Sequence, residues 1–149
     1  MTTIDPAAGP SEIVRFDTRV VVVLRDDLLP WQELNVTAFL MSGIATSAPD
    51  LVGAPYVDAD GNDYLPMLRQ PVIIFTADAV TLGEVRARAK DRGMAVAVYT
   101  ADLFGTSHDE ANRAAVATVA ASDLDLVGVA VRGPRNAVDR LTKRAVKHA

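Results

Sequence analysis

The chain has 149 residues, 50% of them hydrophobic, a net charge of −4 and no cysteine. Its length fits one domain able to bury a core without a covalent staple. The missing cysteine excludes disulfides, thiolate nucleophiles and cysteine-ligated metal sites, and it fits a reducing, cytoplasmic setting. The charge is uneven. Residues 132–149 hold six basic groups against Asp139 alone (+5), so residues 1–131 carry −9, the opposite of a broad nucleic-acid-gripping surface.

In chain order, MTTIDPAAGPSE has no basic run ahead of an apolar core, so residues 1–14 read as a flexible tail and 15–149 as one domain. Arg19–Leu24 (RVVVVL) is β-branched without alternation, which predicts a strand covered on both faces. Pro30 suits a helix's first turn, and Trp31–Ser47 repeats apolar residues at Leu34, Ala38, Met41 and Ala45, with a second row at Val36, Phe39 or Leu40, and Gly43. A helix apolar on so many faces is expected to be central or shared with a partner chain, so a homo-oligomer is expected. Its most apolar stretch, Val36–Ala45, is too short to span a membrane, and no membrane partner is expected.

Asp58-Ala59-Asp60-Gly61-Asn62 between Pro55–Val57 and Tyr64-Leu65 predicts a small β-hairpin insertion. Val72–Phe75 and Ala95–Tyr99 predict core strands, separated by a helix that Thr81 caps and Gly93 stops. Ser107-His108-Asp109-Glu110 fits a capping box, so a helix is expected from there to about Val119. Leu126–Val131 predicts the fourth core strand, and Gly133-Pro134 opens a last helix over about 135–147. Strands alternating with helices predict a three-layer α/β/α sandwich around a mixed, mostly parallel four-stranded sheet.

The chemistry-bearing residues are few. Two histidines, His108 and His148, give no metal-ligand spacing. The 58–63 acid cluster lacks the flanking helices and late acid of a calcium loop, so the aspartates read as turn residues. There is no GxGxxG and no phosphate loop, so no cofactor is expected; Gly105-Thr106-Ser107 at a helix start could hold an anion. The more informative segment is Leu29–Thr37, where Trp31, Gln32 and Asn35 sit at the start of a buried helix beyond a strand's carboxyl end. The 100–107 loop also follows a strand's carboxyl end. If the two strands are parallel neighbours, Trp31, Gln32, Asn35, Asp102, Thr106 and Ser107 line one cleft; otherwise Trp31 covers the core edge and Asn35 satisfies backbone groups.

The run DDLLPWQELNVTAFLMSGI, the hairpin DADGN and the ending LVGVAVRGPRNAVDRLT resemble the bacterial domain of unknown function 2000, over about residues 15–142. Through that family the chain is similar in fold to type 2 peptidyl-tRNA hydrolases, which cleave the ester joining a peptide to tRNA. The resemblance implies a loop aspartate and, four positions on, a threonine, here Asp102 and Thr106, as catalytic residues, and tRNA as a partner. Those enzymes also carry lysines in the turn opening the first helix. Trp31-Gln32-Glu33-Leu34 stands there instead, and the first lysine of the chain is Lys90. Arg25 and Arg132 are the candidate substitutes.

Two functions follow as expectations. One is binding of a small polar ligand near Trp31 and Asp102, with Gln32, Asn35 and Ser107 as further contacts; aromatic and amide groups suit such a ligand better than a polyanion. The alternative is hydrolysis of an ester or amide bond in a peptidyl-tRNA-like or smaller acyl substrate, Asp102 activating water and Thr106 holding the acyl group.

Overall fold

A computed structural model describes residues 16–149; the expected tail at 1–14 lies outside the described residues. In chain order the elements are β1 (Thr18–Arg25), α1 (Pro30–Ser47), the hairpin β2 (Tyr56–Val57) and β3 (Asp63–Tyr64), then β4 (Val72–Ala77) and α2 (Ala79–Asp91). There follow β5 (Ala95–Thr100), α3 (Asp109–Ala117), β6 (Leu126–Pro134), α4 (Arg135–Leu141) and β7 (Val146–Lys147).

The sheet has five strands rather than the expected four, in the order β5-β6-β1-β4-β7. The extra strand comes from the C-terminal segment. The expected last helix stops at Leu141, where Thr142 closes it and its hydroxyl donates back to the Val138 carbonyl, and the chain then returns as β7 beside β4. The expected parallel bias is also corrected. Only β1 and β4 pair in parallel; β1–β6, β5–β6 and β4–β7 are antiparallel. Strands β1, β4 and β5 nevertheless point the same way, which is the direction the strand–helix alternation conveys.

Helices cover both faces. The unbroken valines of β1 divide by pleat: Val20, Val22 and Leu24 pack under α1, while Val21 and Val23 pack under α2 and α4. This is why β1 shows no polar alternation. The buried stripe of α1 is Val36, Leu40 and Ile44, so the second expected row holds at Val36 and Leu40, while the first row, Leu34, Ala38, Met41 and Ala45, is not the buried one. Leu34 is 74% exposed and Phe39 is 55% exposed, so part of the helix's apolar surface faces outward. A Cβ on Gly128 of β6 would stand 2.5 Å from Val36 Cγ1 and 3.0 Å from Leu40 Cδ1. Only glycine lets α1 seat that closely on the sheet.

Two caps differ from expectation. Asp78 caps α2, its carboxylate accepting from the Thr81 N–H at 2.8 Å, so Thr81 lies inside the helix. His108 rather than Ser107 caps α3. The hairpin forms as expected, with Gly61 at a positive φ of 86° in its turn. Asp58 organises that turn, accepting from the N–H groups of Asp60 and Asn62 and from the Tyr64 hydroxyl at 2.7 Å. These donors, the Tyr64 hydroxyl foremost, lower the Asp58 pKa to about 2. No helix among the described residues is long and apolar enough to cross a membrane.

Candidate functional site

β1 and β5 are not neighbours, since β6 lies between them, but both end at the same side of the sheet. Helix α1 leaves the β1 end and crosses β6 to pack on β5, where the Gly43 Cα direction meets Ala97. Its first turns therefore meet the loop that follows β5. Between them lies a cleft of about 550 Å3, walled by Trp31, Asn35 and Phe39 of α1, Ala97–Tyr99 of β5, and the segment from Leu103 to Asn112.

Four aromatic rings form a continuous row in this wall. Trp31 meets Phe104 edge-on, centroids 5.7 Å apart at 69°. Phe104 lies 5.2 Å from Tyr99, and Tyr99 lies 6.0 Å from Phe39. The chain holds eight aromatic residues in all, so half of them gather here. Tyr99 is the buried centre of the row; burial raises its pKa, and its hydroxyl donates to Asn35 Oδ1 at 3.3 Å. Trp31 and Phe39 remain about half exposed at the rim. A row of rings with offset and edge-on neighbours can accept a further flat ring at its open faces.

The polar side of the cleft is built by the loop. The Thr106 hydroxyl has two acceptors for its single proton, the Leu103 carbonyl at 3.0 Å and Asn112 Oδ1. The second of these acceptors ties Asn112, one turn into α3, to the Thr106 side chain at the cleft wall. His108 Nδ1 accepts the Ala111 N–H at 3.2 Å. With Nδ1 accepting, Nε2 is the ring nitrogen left to donate. Asp109 lines the cleft and pairs with Arg113 one turn on. With Glu110 it places two carboxylates in the first turn of α3, which offsets the positive helix end and disfavours an anion at Gly105–Ser107. Among the described residues, no lysine or arginine lines the cleft.

Among the expected site residues, Trp31, Asn35, Thr106 and Ser107 come together in this wall. Gln32 and Asp102 lie outside it. Gln32 is occupied in closing the start of α1, its Oε1 accepting the Leu29 N–H at 2.9 Å. Asp102 is exposed on the short 101–105 turn. The two candidate arginines are also elsewhere. Arg25 is held by Asp27 at 2.6 Å and Asp125 at 2.8 Å, hydrogen bonds that raise its pKa. Arg132 sits across from Val20 and Ala95, at the opposite end of the strands. Tyr99, Phe104, Phe39, His108 and Asn112 are cleft residues that sequence reasoning missed. Tyr99 alone had a readable signal, because alternation along β5 puts it on the face of Ala97, under α1. Among the described residues, no three His, Asp or Glu side chains gather in a metal-binding group.

A family profile described as "Protein of unknown function (DUF2000)" matches residues 18–148. The chain belongs to the DUF2000 family. A solved structure of a protein of unknown function from Agrobacterium tumefaciens is similar to it, with 41% sequence identity and a TM-score of 0.88. The match covers 91% of this chain and 100% of that one. No curated protein matches the chain. The profile carries the DUF2000 resemblance, and neither it nor the solved structure extends the resemblance to peptidyl-tRNA hydrolases.

Proposed function

We propose that this DUF2000 domain binds a small, uncharged, ring-bearing organic molecule in the cleft between α1, β5 and the start of α3. The aromatic row Trp31–Phe104–Tyr99–Phe39 carries this reading. A buried ring flanked by half-exposed ones provides apolar contact area, and the amides of Asn35 and Asn112 with the His108 Nε2–H supply orienting hydrogen bonds. The absence of lysine and arginine from the wall, with Asp109 in it, argues against a polyanion such as tRNA.

Hydrolysis through Asp102 and Thr106 is the weaker reading. Only Thr106 reaches the cleft, and its hydroxyl proton is shared between the Leu103 carbonyl and Asn112 Oδ1.

Trp31 is the only tryptophan, so its emission reports on the cleft alone. Titration with a panel of neutral heteroaromatic and phenolic compounds is expected to shift or quench it saturably. Phe104→Ala then weakens the best compound about tenfold, since an aromatic pair contributes ~0.5–1.5 kcal/mol beyond its buried area. A panel without saturable response, or binding indifferent to Phe104→Ala, refutes the proposal.

A further inference from the structure

The two edges of the sheet are treated differently. On one side, β7 is only two residues long and ends the sheet with Lys147, followed by the His148 N–H donating to the Ile74 carbonyl. A short edge carrying a lysine resists pairing with another strand. On the other side, β5 (AVAVYT) is six residues long, with no charge, proline or glycine. Among the described residues it pairs with β6 alone. Ala95–Val98 are only partly buried, and α3, which follows β5 in the chain, stands across the cleft rather than against the strand. An uncharged, unprotected edge strand of this kind is a template for strand addition.

We propose that the occupant is a second copy of this chain, the two β5 strands pairing antiparallel into one continuous ten-stranded sheet. A two-fold axis relating two identical edges makes them antiparallel and brings the start of each strand to the end of the other. The charges flanking β5 are complementary in that arrangement. Lys90 and Arg92 precede it, with Asp91 between them; Asp102 follows it, and Asp109 and Glu110 come after. With the axis near Ala97, Arg92 and Asp102 are each five positions from the centre along the chain, so the Arg92 end of each copy comes to the Asp102 end of its partner. Both side chains are exposed, and among the described residues neither has an ion-pair partner within 4.0 Å. The inference rests on the strand and its flanking charges, not on a ligand in the cleft.

Sedimentation velocity at 1–100 µM on the full chain tests it. The wild type is expected to be a dimer. Arg92→Asp and Asp102→Arg each place two like-charge pairs in the interface and weaken the dimer about tenfold or more. The double variant restores opposite charges and recovers most of the association. Both positions are exposed, and far-UV circular dichroism spectra matching the wild type confirm that the variants fold. A strictly monomeric wild type overturns the proposal. So does a dimer indifferent to the single reversals, or one that the double variant leaves as weak as the singles.

Discussion

Gly128→Ala tests whether the seat of α1 on β6 sets the geometry of the cleft. The added methyl would meet Val36 Cγ1 at 2.5 Å and Leu40 Cδ1 at 3.0 Å, and both side chains are at most 2% exposed. Over-packing a filled core costs about 1–3 kcal/mol. At roughly 4 °C per kcal/mol for a chain of this length, the melting temperature falls by about 4–12 °C. Calorimetry measures this directly. Val36→Ala removes the clashing methyl, so the double variant should be less destabilised than the sum of the singles by about 1 kcal/mol. The same change reaches the site, because α1 carries Trp31, Asn35 and Phe39 on the helix that must lift. Trp31 emission should shift in Gly128→Ala and return toward wild type in the double variant. A Gly128→Ala protein within ~0.5 kcal/mol of wild type, or strictly additive double-variant energies, would refute the reasoning.

Tyr99→Phe removes the hydroxyl that donates to Asn35 at 3.3 Å and should cost about 0.5–1.5 kcal/mol by denaturant melting, with the aromatic row intact. In the hairpin, Tyr64→Phe removes the main cause of Asp58's low pKa, so the Asp58 carboxyl should titrate measurably above the wild type's value of about 2 by NMR. The sign follows from linkage: a lowered carboxylate pKa stabilises the fold above its unfolded value near 3.8, and that contribution is lost as pH falls toward 2. His148 behaves in reverse. Its pKa is raised, chiefly by the hydrogen bond to Glu33, so Glu33→Gln should lower it in an NMR titration. The stability from this pair is complete below about pH 6.5 and is lost as pH rises through the folded pKa.

Much of the fold was legible because local chemistry dictates it. β1 is a β-branched run that only a doubly covered strand accommodates, and the 58–62 turn has the aspartate and glycine its backbone needs. What escaped was decided by tertiary contact. The segment 142–147 carries helix-forming residues, yet two of them extend as β7 because the edge of β4 offers ladder hydrogen bonds. The all-round apolar pattern of α1 left its buried row open between several choices, and the contact with Gly128 selects Val36 and Leu40. For Asp102 the spacing to Thr106 suggested a shared site. In a turn of 3-10 helix those two side chains diverge, and only Thr106 faces α1.

The position of the cleft follows from where β5 lies in the sheet. An internal strand at that place would have a neighbour beyond it, and Tyr99 would be roofed by the helix crossing both. At the edge no such neighbour exists, and the roof over Tyr99 is assembled from what the chain can bring: Phe39 from α1, Phe104 from the turn that follows, and Trp31 over Phe104. Side chains arriving from one helix and one loop leave a gap that a continuous layer would not, and that gap is the cleft. The same edge position leaves the backbone of β5 unpaired. The proposed ring site and the proposed surface for a second copy thus share one structural cause, and they use different parts of it: the first the α1 side of Tyr99, the second the backbone of Ala95–Val98.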